Sequence, residues 1–249
     1  MLDLAISIAA WTAILTAIAV AVALKRRGGV KWGWYAAACL IFAGYAFALI
    51  HGGEYVPVKQ LFPDYQLQWN WAGKIASIGY TLLMVALLAV VSRKTGPAAV
   101  GFTLRQNAGS VVPALIVMAL LVGLSVGAEL IARDGTDTGL ERLLYQATMP
   151  GFDEEPMMRG VALVLMNEAF GRNWRVLGAE MGWGGLLLTL LFGLIHGLFY
   201  QDGAFAFNGV AVAITGVIGF GLLYIRERTG SLLLPIVAHN VVNVSNSFF

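Results

Sequence analysis

The stretch Met149-Pro-Gly-Phe-Asp-Glu-Glu-Pro-Met-Met-Arg-Gly160 sets three consecutive carboxylates, Asp153, Glu154 and Glu155, and one guanidinium, Arg159, between apolar neighbours. At bilayer depth each such group costs about 2.5–3.5 kcal/mol on insertion scales. Charges this expensive are not placed for stability, so the segment marks a site. The rest of the chain supplies the membrane context. Of its 249 residues 59% are hydrophobic and 12% charged, against about 25% charged in soluble domains. Mean hydropathy is +0.76.

Working outward, apolar runs long enough to cross a hydrocarbon core of about 30 Å fall near 4–24, 32–50, 71–92, 111–131, 142–166, 183–201, 207–225 and 231–247. The expected fold is an all-α membrane protein, a polytopic bundle of about eight transmembrane helices. It reads as a single integral membrane domain over 1–249, with N-terminal helices in 1–139 and site-bearing helices in 140–249. The fifth run is broken by Pro150, Gly151 and Pro156. Such breaks are tolerated in a membrane where neighbouring helices or a wet cavity satisfy the freed backbone groups.

Loop cations set the expected orientation. Lys25, Arg26, Arg27, Lys31, Arg93, Lys94, Arg105, Arg172, Arg175, Arg226 and Arg228 follow the odd-numbered spans, against Lys59, Lys74, Arg133 and Arg142 on the other side. Both termini are therefore expected outside the cytoplasm, in a multi-pass protein of the cell membrane. Trp32, Trp34, Trp69, Trp71 and Trp183 fall at span ends as interfacial anchors. The first apolar run lacks a basic leader and reads as a span, not a cleaved signal. The loop 51–70, with His51 and Glu54, reads as a solvated connector. A net charge of +2 without a basic tract excludes nucleic acid as a partner. The single cysteine, Cys39, excludes an intrachain disulfide.

Three polar elements carry chemistry. On a helix Glu155 and Arg159 share a face four residues apart, which makes an ion pair available. Glu154 is rotated about 100° from Glu155, so it can face a different neighbour. Desolvation there would favour its neutral form and suit a general base near neutrality. His196 lies between Gly193 and Gly197, a spacing that lets helices approach closely. His239 and Asn243 project from one face, an imidazole and an amide suited to a developing oxyanion.

Glu154-Glu155-x-x-x-Arg159-Gly160, Phe192-x-x-x-His196 and His239-x-x-x-Asn243 resemble the three signature motifs of the CAAX protease and bacteriocin-processing family of intramembrane endopeptidases, which includes the type II CAAX prenyl endopeptidase. Pro150, Leu191-Phe192-Gly193 and Gly230-Ser-Leu-Leu-Leu-Pro235 agree in the flanks. The resemblance covers roughly 145–247 and implies a buried polar site among the last four helices. It implies Glu154 as the base that activates water with His196, and His239 with Asn243 as oxyanion stabilisers. Glu155, Arg159 and Phe192 would support the site. The substrate would be a membrane protein or peptide, lipidated in the prenyl-processing branch, and size and topology suit a prokaryotic inner membrane.

No cofactor is required by this chemistry. A zinc ion on Glu154, His196 and His239 is the metallo-type alternative, disfavoured because the HExxH spacing is absent. Two further readings use the same residues: a proton-coupled transporter, against which the lack of an internal repeat counts, and a non-catalytic immunity or binding factor on the same scaffold. The substrate's identity and the role of Asp153 are open at this level.

Overall fold

The structure, a computed structural model, describes residues 1–25, 29–63, 67–91, 95–132 and 135–249. Arg26, Arg27, Arg93, Lys94 and Arg133 and the side chain of Lys59, all part of the charge comparison, lie outside the described residues. In chain order the elements are α1 (Leu2–Lys25), α2 (Trp32–His51), a 3-10 turn (Gly52–Glu54), α3 (Val58–Leu61), α4 (Trp71–Val91), α5 (Pro97–Val100) and α6 (Val111–Ala132). Then come α7 (Leu140–Glu155), a π-helix (Pro156–Ala162), α8 (Leu163–Phe170), β1 (Trp174–Val176), β2 (Ala179–Met181) and α9 (Trp183–Gly197). The chain closes with β3 (Leu198–Gln201), β4 (Ala204–Phe207), α10 (Gly209–Thr229), α11 (Leu233–Ser245) and a 3-10 turn (Asn246–Phe248).

The fold is all-helical apart from two small hairpins among the described residues. By length and composition five helices can cross a membrane: α1, α2 with its 3-10 extension, α4, α6 and α10. About eight crossing helices were expected. The other three apolar runs take different forms. The fifth is a continuous helical path from Leu140 to Phe170 that changes pitch at Pro156. Proline has no N–H to give and its ring crowds the preceding turn, so the helix opens into a π segment there, a feature common at functional sites. The sixth run ends as α9 after 15 residues and the eighth holds the 13-residue α11. At 1.5 Å per residue these span about 22 and 20 Å, short of a core of about 30 Å.

The broken helix is the centre of the protein. Met157, Met158, Val161, Leu163, Leu165 and Met166 are all within 1% of complete burial, so the segment is enclosed by protein on every side, as an all-round apolar helix must be. Helices α4 and α11 pack on α7, and α9 packs on α10. At the start of α7, Glu141 accepts hydrogen bonds from the backbone N–H groups of Gln68 and Trp69 and from the Trp71 indole, at 3.0–3.1 Å. Desolvation there would raise the Glu141 pKa, but these donors outweigh it and hold it below the usual carboxylate range. The rings of Trp69 and Trp71 lie 5.0 and 5.2 Å from that of Tyr145.

Neither hairpin was expected from hydropathy. Each turns on two residues with positive φ, Leu177 and Gly178 in the first, Asp202 and Gly203 in the second. These are the conformations of a type I′ turn, which the Asp-Gly pair favours. The second hairpin takes the tail of the sixth apolar run, which hydropathy alone assigns to a helix.

Candidate active site

Glu154, His196, His239 and Asn243 line one cavity of about 1160 Å³, together with Lys74 and Phe192. They come from α7, α9 and α11, elements that meet because small residues let backbones approach. A Cβ at Gly151 would lie 2.6 Å from both the Ile236 carbonyl and Asn240 Oδ1, and the Gly151 N–H donates to that same oxygen at 2.7 Å. Likewise a Cβ at Gly193 would lie 2.6 Å from the Val212 carbonyl of α10. The expected close approach beside His196 is thus made to α10.

The three carboxylates divide between two cations, Lys74 for Asp153 and Glu154 and Arg159 for Glu155. Asp153 is fully buried and accepts from Tyr45 Oη at 2.8 Å, Ser77 Oγ at 2.6 Å and Lys74 Nζ at 2.7 Å. It ties α7 to α2 and α4. Glu154 Oε1 accepts from the same Lys74 Nζ at 2.8 Å. Its second oxygen, Oε2, is buried without a protein partner. Glu155, also fully buried, accepts through Oε1 from Arg159 Nη1 at 2.9 Å and His239 Nδ1 at 2.8 Å. Arg159 further donates to the Gly219 carbonyl at 3.2 Å and stands 4.1 Å over the Phe192 ring.

The two histidines are held alike. His196 Nδ1 lies 2.7 Å from the Phe192 carbonyl. A carbonyl or a carboxylate can only accept, so in both rings the proton toward the partner sits on Nδ1. In each, Nε2 is the nitrogen left for another ligand. Phe192 lies between them, its ring centroid 4.7 Å from that of His196 and 5.9 Å from that of His239.

Lys74 corrects the sequence reading. It enters there as a loop cation, yet it is 7% exposed on α4 and bridges two carboxylates. Glu154 is therefore a charge-compensated carboxylate, not the lone desolvated one expected. An ionisable residue just inside an apolar helix is the signal that could have found it; near a helix end it reads as snorkelling. Tyr45, Ser77 and Asn240 carry no such signal. Among the described residues, no three His, Cys, Asp or Glu side chains form a group that could hold a metal ion. The alternative set of Glu154, His196 and His239 thus lacks a preformed ligand geometry, and Lys74 already occupies one Glu154 oxygen.

Residues 137–245 match the Rce1-like family, described as type II CAAX prenyl endopeptidase Rce1-like. No curated protein and no solved structure matched the chain. The matched segment contains Glu154, His196, His239 and Asn243. The C-terminal part of this multi-pass membrane protein, residues 137–245, is thus similar to the Rce1-like type II CAAX prenyl endopeptidases.

Proposed function

We propose that the protein is a glutamate-type intramembrane endopeptidase acting on membrane-associated proteins or peptides, lipidated ones included. The observation that carries this is Glu154 Oε2, a buried carboxylate oxygen without a protein partner, on a cavity shared with His196, His239 and Asn243. Water bound between Glu154 Oε2 and His196 Nε2 loses a proton to the carboxylate as it attacks the scissile carbonyl. The tetrahedral oxyanion accepts hydrogen bonds from Asn243 Nδ2 and His239 Nε2. For His239 to donate through Nε2 while Nδ1–H faces Glu155, the ring carries both protons and the Glu155 carboxylate balances it. The proton taken by Glu154 passes to the amide nitrogen as the C–N bond breaks.

Glu155, Arg159 and Phe192 act as positioning residues, through the pair at 2.9 Å and the ring stacked under the guanidinium. The reading takes 1–249 as one membrane domain, with residues 140–249 catalytic. It takes all eight apolar runs as crossing segments, the two shorter ones, α9 and α11, meeting a locally thinned or protein-lined path. The loop-cation asymmetry supports termini outside the cytoplasm, even with Lys74 and Arg226, both buried on helices, removed from the loops, and the compact chain suits a prokaryotic inner membrane.

The test is cleavage of a fluorogenic, farnesylated peptide of the Cys-aliphatic-aliphatic-Xaa type by purified protein. Glu154→Gln should abolish turnover while leaving the thermal unfolding midpoint within a few degrees. Turnover at the parent rate would remove Glu154 as the base. Loss of parent activity on chelation, restored by zinc alone, would favour the metallo-type alternative. Comparing membrane proteomes of strains carrying the parent and Glu154→Gln proteins would identify the natural substrate.

A further inference from the structure

The hairpin of β3 and β4 has one covered edge and one free edge. The pairing places Leu198 opposite Phe207 and Tyr200 opposite Phe205, and Asn208 N donates to the Gly197 carbonyl at 2.7 Å. Facing residues of an antiparallel pair alternate between those that exchange backbone hydrogen bonds and those that do not. Counting from Asn208 and Gly197, the bonded pairs continue at Phe199 with Ala206 and at Gln201 with Ala204. Leu198 and Tyr200 therefore present their backbone groups outward. The contacts with α1 agree, since the Trp11 indole donates to the Leu198 carbonyl at 2.6 Å and Tyr200 N–H donates to Ser7 Oγ at 2.8 Å.

The same alternation turns the backbone N–H and C=O groups of Phe205 and Phe207 outward on the far edge of β4. Among the described residues nothing is bonded to them, and all four residues of β4 are exposed. A free strand edge is a template for another chain. Its depth makes an empty edge costly. Helix α9 opens on Trp183, read from the sequence as an interfacial anchor, and runs only about 22 Å over its 15 residues, so on that reading the hairpin begins within a core of about 30 Å. Backbone groups left unpaired there cost several kcal/mol each. The edge also leads to the site. Its inner end is Phe207, followed by Asn208, which lines the same cavity as His196, and His196 immediately precedes the Gly197 bonded to Asn208.

We propose that the outer edge of β4 binds the substrate polypeptide as an added antiparallel or parallel strand, delivering the residues next to the scissile bond in extended form to the level of His196. This rests on the protease reading above and adds the mode of recognition. Main-chain pairing through Phe205 and Phe207 grips what every peptide shares, while the exposed Phe205 and Phe207 rings (54% and 68%) favour apolar side chains on alternate substrate residues.

The experiment uses the Glu154→Gln protein and a dye-labelled farnesylated peptide of the same type, with binding read by fluorescence anisotropy. A series carries one backbone N-methyl group at successive positions. Strand addition predicts that binding weakens about fivefold, the worth of one hydrogen bond, at every second position and stays within twofold at those between. Phe205→Pro, which removes an outward N–H and none of the hairpin's own bonds, should weaken the unmodified peptide about fivefold. Phe205→Ala, which keeps that N–H, should fall within twofold. Equal losses at consecutive positions, no loss anywhere, parent-like binding by Phe205→Pro, or no binding of the unmodified peptide would each overturn strand addition. Turnover does not enter these readings, so parent-rate cleavage by Glu154→Gln would count against the catalytic assignment alone.

Discussion

Lys74 holds two carboxylates with one ammonium, 2.7 Å from Asp153 and 2.8 Å from Glu154, with side-chain exposures of 8%, 0% and 16%. Removing one partner from a buried ionic group leaves uncompensated charge and costs about 3–5 kcal/mol. Lys74→Met should therefore lower the thermal unfolding midpoint in detergent markedly. Adding Asp153→Asn in the same chain should recover part of the loss by removing one of the two stranded carboxylates. An unchanged midpoint for Lys74→Met would mean the bridge contributes nothing. Glu155 has a different task. It fixes the Nδ1 side of His239 at 2.8 Å and anchors Arg159 at 2.9 Å. Glu155→Gln keeps the shape but removes the carboxylate that balances the doubly protonated His239 ring, leaving a neutral, weaker Nε2–H donor, and the loss of one oxyanion donor costs about two to three orders of magnitude in kcat. For this chain kcat should fall by up to about two to three orders, with KM nearly constant. A KM effect alone would place Glu155 in binding instead.

At the scale of the element, the contact of α7 with α11 depends on the absence of one methyl group. Gly151→Ala would drive a Cβ to 2.6 Å from the Ile236 carbonyl and Asn240 Oδ1 and break up the hydrogen bond from the Gly151 N–H to Asn240 Oδ1. Overpacking of this kind costs about 1–3 kcal/mol. Gly79, in α4, has nothing within 4 Å of its would-be Cβ, so Gly79→Ala should be neutral or stabilising by up to about 1 kcal/mol. Paired unfolding curves for the two variants check the contrast, and equal shifts would show that α7 can slide to accommodate the methyl. The π segment belongs to this scale as well. Pro156 is visible in the chain as a helix-loosening residue, but the widened turn it produces depends on a fully buried surrounding that fixes where the pitch change falls.

For the whole molecule, the prediction concerns topology. If all eight apolar runs cross, the termini lie on one side, opposite the 101–110 loop. Single cysteines placed near residue 2, near residue 106 and after Phe249 in a Cys39→Ala background should label accordingly with a membrane-impermeant maleimide in intact cells. Labelling of the two termini from opposite sides would mean that an odd number of segments cross, with α9 or α11 the first to examine because of their length.

Sequence by itself determined the membrane class, the five long spans and the pairing of Glu155 with Arg159. Hydropathy over 20 residues and an i,i+4 spacing are local properties that need no tertiary information. It also marked Glu154, His196, His239 and Asn243, because ionisable and polar groups are costly in an apolar chain wherever they fall. What it could not decide was which partner each would meet. Glu155, not Glu154, received His239; Asp153 received Tyr45, Ser77 and Lys74; and Lys74 moved from the loops to the interior. Those pairings join α2, α4, α7 and α11 across separations of 76 to 108 residues, and charge compensation between such distant segments exists only once the packed helices bring them together.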